Sequence, residues 1–267
     1  MMIRVPWRIQ NASKHLLAAL IQNLKRPTGL HCPVCAKDNV TFLPLPSYYS
    51  EMRERYGSIH PVGMSETMNR QQYSCNHCYA ADRDRLYALY FREAVRRGGT
   101  PQSVLDIAPQ PALTRFLRTL GVNYRSADMV SADADDRVDI QNMPIYADNQ
   151  FETFICSHVL EHVTDDIAAM GELYRVLAPR GWGICMVPIN LGLSEVYENR
   201  DILDEAGRWK HFGQNDHVRV YSKAGFIARL ELVGFTVHQY GISHFGRDVY
   251  SRHGIHPRSV LYIVSKN

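Results

Sequence analysis

Residues 151–188, FETFICSHVLEHVTDDIAAMGELYRVLAPRGWGICMVP, decide the fold. Phe154-Ile155-Cys156 is a short apolar run that reads as a strand. Ser157, His158, Glu161 and His162 crowd its end. From Asp165 onward Ile167, Met170, Leu173, Tyr174 and Leu177 recur at helical spacing. Pro179-Arg180-Gly181 reads as the stop, and Ile184-Cys185-Met186-Val187 as a second strand. In open α/β sheets, ligands bind beyond the carboxyl ends of the strands. The Ser-His and Glu-His pairs stand at such an end, so chemistry is expected there.

The same alternation continues on both sides. SVLDIA (103–108), NYRSADM (123–129), FTVHQYG (235–241) and SVLYIVS (259–265) read as strands, while ALTRFLRTL (112–120) and SKAGFIARLELVG (222–234) read as helices. Strands alternating with helices through short turns imply a doubly wound, mostly parallel sheet. The polar segment 190–216, with Tyr197, Glu198, Trp209, His211 and Phe212, is expected to act as a lid that shapes an acceptor pocket. Arg200 and Arg219 are candidates for pairing with an anionic acceptor.

Upstream, LHCPVCAKD and YSCNHCYA place Cys32 and Cys35, then Cys75 and Cys78, in two CxxC pairs. Four thiolates so paired can hold one Zn²⁺ tetrahedrally, and a closed four-sulfur site is structural because no position is left for water. His31 and His77 are read as spectators. The insert between the pairs, 39–72, is rich in Pro, Gly and Tyr and is expected to loop out. A helix is expected over 81–97 with its arginines outward and Leu86, Leu89, Tyr90 and Val95 inward, followed by a Gly98–Pro101 linker. Residues 1–29 read as one amphipathic helix, either packed on the core or forming a dimer contact, with a membrane-surface helix as the alternative. The expected division is therefore 1–29, an N-terminal helix; 30–99, a zinc-binding lobe with its linker helix; and 100–267, the α/β domain.

Residues 1–99 carry 14 Lys/Arg against 7 Asp/Glu, whereas 100–267 carry 16 against 20. A basic front half suggests an anionic partner. No apolar run is long enough to span a membrane, and no cleavage signal follows Leu16–Ile21, so a cytoplasmic protein is expected. Cys156 and Cys185 read as buried strand residues.

The segment SHVLEHVTDDIAAMGELYRVLAPRGW resembles the post-strand-4 signature of class I S-adenosylmethionine-dependent methyltransferases, the type-11 branch in particular. The resemblance covers about residues 100–265. It implies a seven-stranded sheet ending in an antiparallel hairpin, for which 236–240 and 260–265 are suited, and S-adenosyl-L-methionine as cofactor. It implies cofactor contacts at Asp106 and Ala108 in the turn after the first strand, at Asp128 for the ribose, at Asp139 for the adenine, and at Ser157 and His158 where cofactor meets substrate. Met143 would wall the adenine. The turn departs from the family's repeated glycines, with Pro109 and Pro111 removing two amide donors.

Methyl transfer to a hydroxyl needs a base or a metal. His217 and His162 are the candidate bases. The Glu161-His162 pair with His217 also resembles the divalent-metal set of small-RNA 2′-O-methyltransferases, with His158 where those relatives have a carboxylate. Metal-free catalysis and a second divalent metal both stay open. The expected activity is O-methylation of a small molecule or a sugar or polysaccharide precursor, because zinc lobes ahead of such domains resemble those of deoxysugar methyltransferases. An RNA methyltransferase and a non-catalytic cofactor-fold protein are the alternatives, and a homo-oligomer is allowed.

Overall fold

The computed structural model describes residues 27–61 and 63–267. Residues 1–26 of the expected N-terminal helix lie outside this range, and 27–29 carry no helix.

Seven strands form the central sheet, in the order β12-β13-β9-β8-β5-β6-β7. They are β5 (Ser103–Ile107), β6 (Asn123–Asp128), β7 (Asp136–Arg137), β8 (Phe151–Ser157), β9 (Leu177–Met186), β12 (Thr236–Tyr240) and β13 (Leu261–Ser265). Five run parallel. β13 lies antiparallel between β9 and β12, which closes the sheet with the expected hairpin. Strands buried on both faces are mostly apolar: Val104, Leu105, Phe154, Ile155, Cys156, Ile184 and Cys185 are at most 1% exposed, with Asp106 and Thr153 the buried polar residues among them. Cys156 and Cys185 are register partners inside this core, with no role beyond packing visible there.

The order reverses at β5, between β6 on one side and β8 on the other, so their carboxyl ends open a crevice. The turn at Pro179–Gly181 is a bulge within β9 rather than a break between helix and strand. Phe151 pairs with Leu177 and Thr153 with Trp182, so the extra residues are absorbed on the β9 side. Gly181 is needed there, because a Cβ would lie 2.7 Å from the Ala178 carbonyl oxygen.

The amino-terminal part is built from two hairpins, β1 (His31–Cys32) with β2 (Lys37–Asp38) and β3 (Phe42–Leu43) with β4 (Ser74–Cys75), and two helices, α1 (Tyr48–Arg55) and α2 (Asp82–Arg96). Two expectations for this part are corrected. The insert 39–72 does not loop out: it carries α1 and folds back over the carboxyl ends of the sheet. Nor do all the arginines of α2 face outward. Arg85 is fully buried, donates to the carbonyls of Gln72, Tyr73, Ala80, His253 and Gly254, and sits 3.9 Å over the Phe42 ring. A buried guanidinium is tolerated only with its donors satisfied, and here backbone oxygens satisfy them. It fastens the hairpins to the chain's last turns. Val95 is exposed instead, while Tyr87 and Phe91 take the inward face.

Segment 190–216 also has structure of its own. β10 (Tyr197–Glu198) pairs with β11 (Arg219–Val220), and α5 (Glu205–Phe212) is capped by Asp204. The remaining helices are α3 (Pro111–Arg118), α4 (Asp166–Val176), α6 (Lys223–Leu232), α7 (Ile242–Phe245) and α8 (Arg247–Arg252). Among the described residues, no helix is long and apolar enough to cross a membrane.

Candidate active site and its metal-ligand clusters

The four cysteines of the CxxC pairs converge, with every Sγ within 4.8 Å of the others and Cys32 Sγ 3.7 Å from Cys78 Sγ. The edge of a tetrahedron with 2.3 Å Zn–S bonds is about 3.8 Å, so the spacing fits one Zn²⁺. Both knuckles turn the same way: Ala36 and Tyr79, each directly after its second cysteine, have φ of 56° and 64°. His31 and His77 stand outside the cluster, His31 facing Asp38 at 2.9 Å.

At the crevice, β8 keeps its register to Ser157, and the His158 amide still donates to Met186 at 2.8 Å. His158 then takes a left-handed φ of 58°, and Leu160–Val163 form a tight turn before α4. The turn's carbonyls at Leu160, Val163 and Thr164 receive no helical amide donors. Arg219 supplies the donors, reaching Leu160, Val163 and Thr164, while the Val218 amide bonds the Glu161 carbonyl at 2.9 Å. That clamp brings His217 onto Glu161 across a separation of 56 residues. Arg219 is buried and also pairs with Glu198 at 3.1 Å, so its guanidinium is fully engaged. It is not free for an acceptor, contrary to expectation, and exposed Arg200 does not line the cavity described below.

Glu161 is fully buried, yet neither carboxylate oxygen accepts a hydrogen bond. His158 Nδ1 lies 3.3 Å and His162 Nε2 3.8 Å from Oε1, in ion-pair rather than hydrogen-bond geometry. The rings of His162 and His217 meet edge to face, 4.7 Å between centroids. His162 Nδ1 is 3.5 Å from Asp216 Oδ2. Burial pushes the Glu161 carboxyl up, but the surrounding imidazoles more than reverse this and hold it at about 2. Burial holds His158 below its ordinary value and His217 at about 4, so both rings favour the neutral form. One ligand atom each from Glu161, His162 and His217 lies within 4.8 Å of the others.

These residues line a cavity of about 360 Å³. Its floor includes Ala108, Gln110, Ser157 and Pro188, and its roof is the folded-back insert with Tyr49, Arg53 and Arg70, joined by Tyr73 just beyond it. Phe212 lines it too. Trp209 does not: buried, it stacks on Tyr56 at 6.2 Å and 3° and holds α5 against the insert. Sequence reasoning missed Arg53, Arg70, Arg83 and Asp216. The only signal for the arginines was the positive balance of residues 1–99, which points to no position.

The cofactor side can be followed residue by residue. Ala108 has φ of 54°, the conformation glycine favours, and its amide donates to Ala127 at 2.8 Å. Pro111 is at the first position of α3, where an N–H would have no intrahelical partner, so its missing donor leaves no gap. Asp106 is buried, accepts from Tyr124 at 2.7 Å, and burial pushes its carboxyl up to about 7. Asp128 ends β6, and its Oδ1 accepts from Val130 and Ser131. Exposed Met129 and Val130 stand beside it. Asp139 lies 3.1 Å through both oxygens from Gln141 Nε2, and Met143 is fully buried. Ser157 Oγ hydrogen-bonds Tyr87 at 2.8 Å.

Residues 79–240 match the family described as "Methyltransferase domain". No curated protein matches the chain. Among solved structures, the chain is similar to a SAM-dependent methyltransferase from Archaeoglobus fulgidus (13% identity, 68% of this chain and 94% of that one, TM-score 0.45). It is similar to the 1,6-didemethyltoxoflavin-N1-methyltransferase of Burkholderia thailandensis (13%, 66% and 76%, 0.42). It is similar also to the cyclase SpnF (17%, 84% and 97%, 0.46).

Proposed function

The chain belongs to the S-adenosylmethionine-dependent methyltransferases, and from that premise we propose that it methylates a hydroxyl of a small molecule or sugar precursor at the Glu161, His162 and His217 cluster. The observation that carries the reading is the buried Glu161 carboxylate, without a hydrogen bond and ringed by imidazoles, on the wall of the cavity that Ala108 and Ser157 also line.

Residues 30–99 act in this reading as a zinc-held lobe whose insert roofs the site, and residues 100–267 as the catalytic domain. The cofactor would lie along the ends of β5 and β6. The left-handed turn at Ala108 lets its methionine part approach the backbone, and the amino end of α3 favours negative charge. The second oxygen of Asp128 is left for the ribose hydroxyls, with Met129 and Val130 as an apolar ledge for the base. Asp139, already bonded to Gln141, would position the adenine loop as well as meet the ring. Ser157, held by Tyr87, and His158 mark where the methyl group meets the acceptor.

Methyl transfer is an in-line displacement at a sulfonium carbon, so the protein supplies alignment, a dry site and somewhere for the hydroxyl proton to go. A neutral imidazole suits that last task. His162 is the more accessible of the two candidate rings; His217 is buried against it. Glu161 and Asp216 stabilise the imidazolium that forms, and His158 shares in holding Glu161 ionised. The orphaned carboxylate with two nitrogen ligands also fits a divalent cation, in a set with positions left open. An ion held by Glu161, His162 and His217 would lower the acceptor hydroxyl's pKa as a Lewis acid. The nitrogen-rich set favours Zn²⁺, Mn²⁺ or Fe²⁺ over Mg²⁺.

The test is turnover with methyl-labelled cofactor against a panel of hydroxylated sugars and phosphorylated precursors. His162→Ala and His217→Ala should each lose roughly 10²- to 10⁴-fold in kcat. Full turnover by both at saturating acceptor would remove the cluster from the chemistry. RNA as the best acceptor would replace the small-molecule reading.

A further inference from the structure

The cavity is electrically lopsided. At the Glu161 end stand two carboxylates, Glu161 and Asp216, among histidines. Arg53 and Arg70 stand on the roof and Arg83 on α2, and among the described residues none of the three has a carboxylate partner. Their hydrogen bonds go to neutral groups: Arg53 to the His60 carbonyl at 2.7 Å, Arg70 to Ser50 Oγ at 2.6 Å, and Arg83 to the Tyr73 hydroxyl at 2.9 Å. Nε of Arg53 and of Arg83 is buried and bonded to nothing. Arg53 is half-buried, and burial together with the neighbouring Arg70 charge pushes its guanidinium below the ordinary value. Two neighbouring guanidinium groups on one cavity wall, one with a buried donor unspent, repel each other unless an anion lies between them.

Arg53 is also tied to the reacting end. Its Nη1 rests on Gly213, where a Cβ would come within 2.2 Å, and Gly213 leads through Gln214 and Asp216 to His217. A second hollow of about 270 Å³ adjoins the cavity through Gly63, Ser65, Met68 and Arg70. Its wall adds His256 and Arg258 and holds no carboxylate.

We propose that Arg53 and Arg70 form an anion subsite that holds a phosphate or diphosphate group of the acceptor, whose hydroxyl then reaches the Glu161, His162 and His217 end of the same cavity. This rests on the methyltransferase reading and names the class of acceptor: a phosphorylated small molecule, with the second hollow taking what lies beyond the phosphate. Guanidinium forks match phosphate oxygens bidentately, which is why arginine and not lysine is expected at both positions. Arg83, whose charge is felt by His158, sits nearer the cofactor end and is left out of the subsite.

The experiment is isothermal titration of the full chain with inorganic pyrophosphate and with uridine diphosphate, no divalent metal added, both with and without bound S-adenosylhomocysteine. Both probes should bind, and Arg53→Gln/Arg70→Gln should weaken them by roughly tenfold or more while S-adenosylhomocysteine affinity stays within twofold. Arg70→Gln alone is the second variant, because Arg53 packs against Gly213; it should weaken both probes severalfold, and Arg70→Lys should restore only part. Absence of binding, or equal binding by the glutamine variants, would overturn the subsite. A single-stranded 20-nucleotide RNA that binds more tightly than uridine diphosphate and is displaced by salt but not by the diphosphate would overturn the small-acceptor class. A chain that bound pyrophosphate but not S-adenosylhomocysteine would sink the methyltransferase reading and leave the subsite standing.

Discussion

Two groups of metal-type ligands stand in this protein, and they are built in opposite ways. Cys32, Cys35, Cys75 and Cys78 come from two short knuckles, each a local turn with its own left-handed residue. They are four of a kind, mutually close, and a Zn²⁺ held by them would have no position left for a reactant. Glu161, His162 and His217 are three ligands of mixed type, assembled by a clamp of Arg219 on the turn after β8, and they face a cavity. The first group is placed to hold the fold. The second lines an open cavity, where the proposed chemistry would take place. Removing the closed set should therefore register as stability, and removing the open set as rate.

The largest effect is expected from Cys75→Ser. Zinc binding by structural sites in small peptides amounts to roughly 10–16 kcal/mol, and this lobe roofs the active site. Loss of bound zinc by metal analysis and a melting temperature lower by ~10 °C or more should appear together, with activity gone. A variant that lost zinc and kept its melting point would break the contrast.

Next comes Glu161→Gln, which keeps the shape but removes the charge that the imidazoles answer. Turnover should fall by about 10²-fold or more, with S-adenosylhomocysteine affinity unchanged and the melting point within a few degrees. A moderate chelator sharpens the same comparison. It should lower the rate at an occupied open site before it touches the melting point set by the cysteines.

Asp106 tests the electrostatics from the other side. It is buried like Glu161, but burial pushes it up to about 7 because only Tyr124 answers it. Its folded-state value lies above the ordinary carboxyl range. Its contribution to stability is therefore full below about pH 4 and is lost as pH rises through 7, by roughly 4 kcal/mol at most. Asp106→Asn should match the parent in thermal melts near pH 4 to 5 and exceed it at pH 8. Equal melting points at pH 8 would remove Asp106 as a buried, strained acid.

The smallest effect belongs to Gly213→Ala, at the joint between roof and cluster. Gly213 has φ of 80° and lies against Arg53, so alanine should lower stability by about 1–2 kcal/mol and raise the acceptor KM severalfold. An unchanged KM would separate the roof from acceptor binding.

The sheet was legible because its strands are buried on both faces and must be apolar, and because the helices between them keep a 3.6-residue period. The edges of that legibility are instructive. The Pro179–Gly181 turn looked like an interruption and is a bulge, since a bulge and a turn use the same residues. Arg85 looked like a surface charge and is the most fully bonded side chain of its helix, since composition does not say where carbonyl acceptors will gather.

From the sequence alone came the family resemblance, the doubly wound sheet with its closing hairpin, the cysteine pairing pattern and the names of the histidines. The sheet and the cysteine pairs depend on local periodicity and on spacing within one segment; the family and the hairpin came from a resemblance carried by one continuous segment. Only the tertiary structure decided that the insert folds back as a roof, that Arg219 is consumed by a turn, and that Arg53 and Arg70 face the same cavity as His217. Those are juxtapositions of residues more than 50 positions apart, and more than 140 for Arg53 and Arg70 against His217. They depend on which buried polar groups find partners once the core has closed, and no local pattern records that.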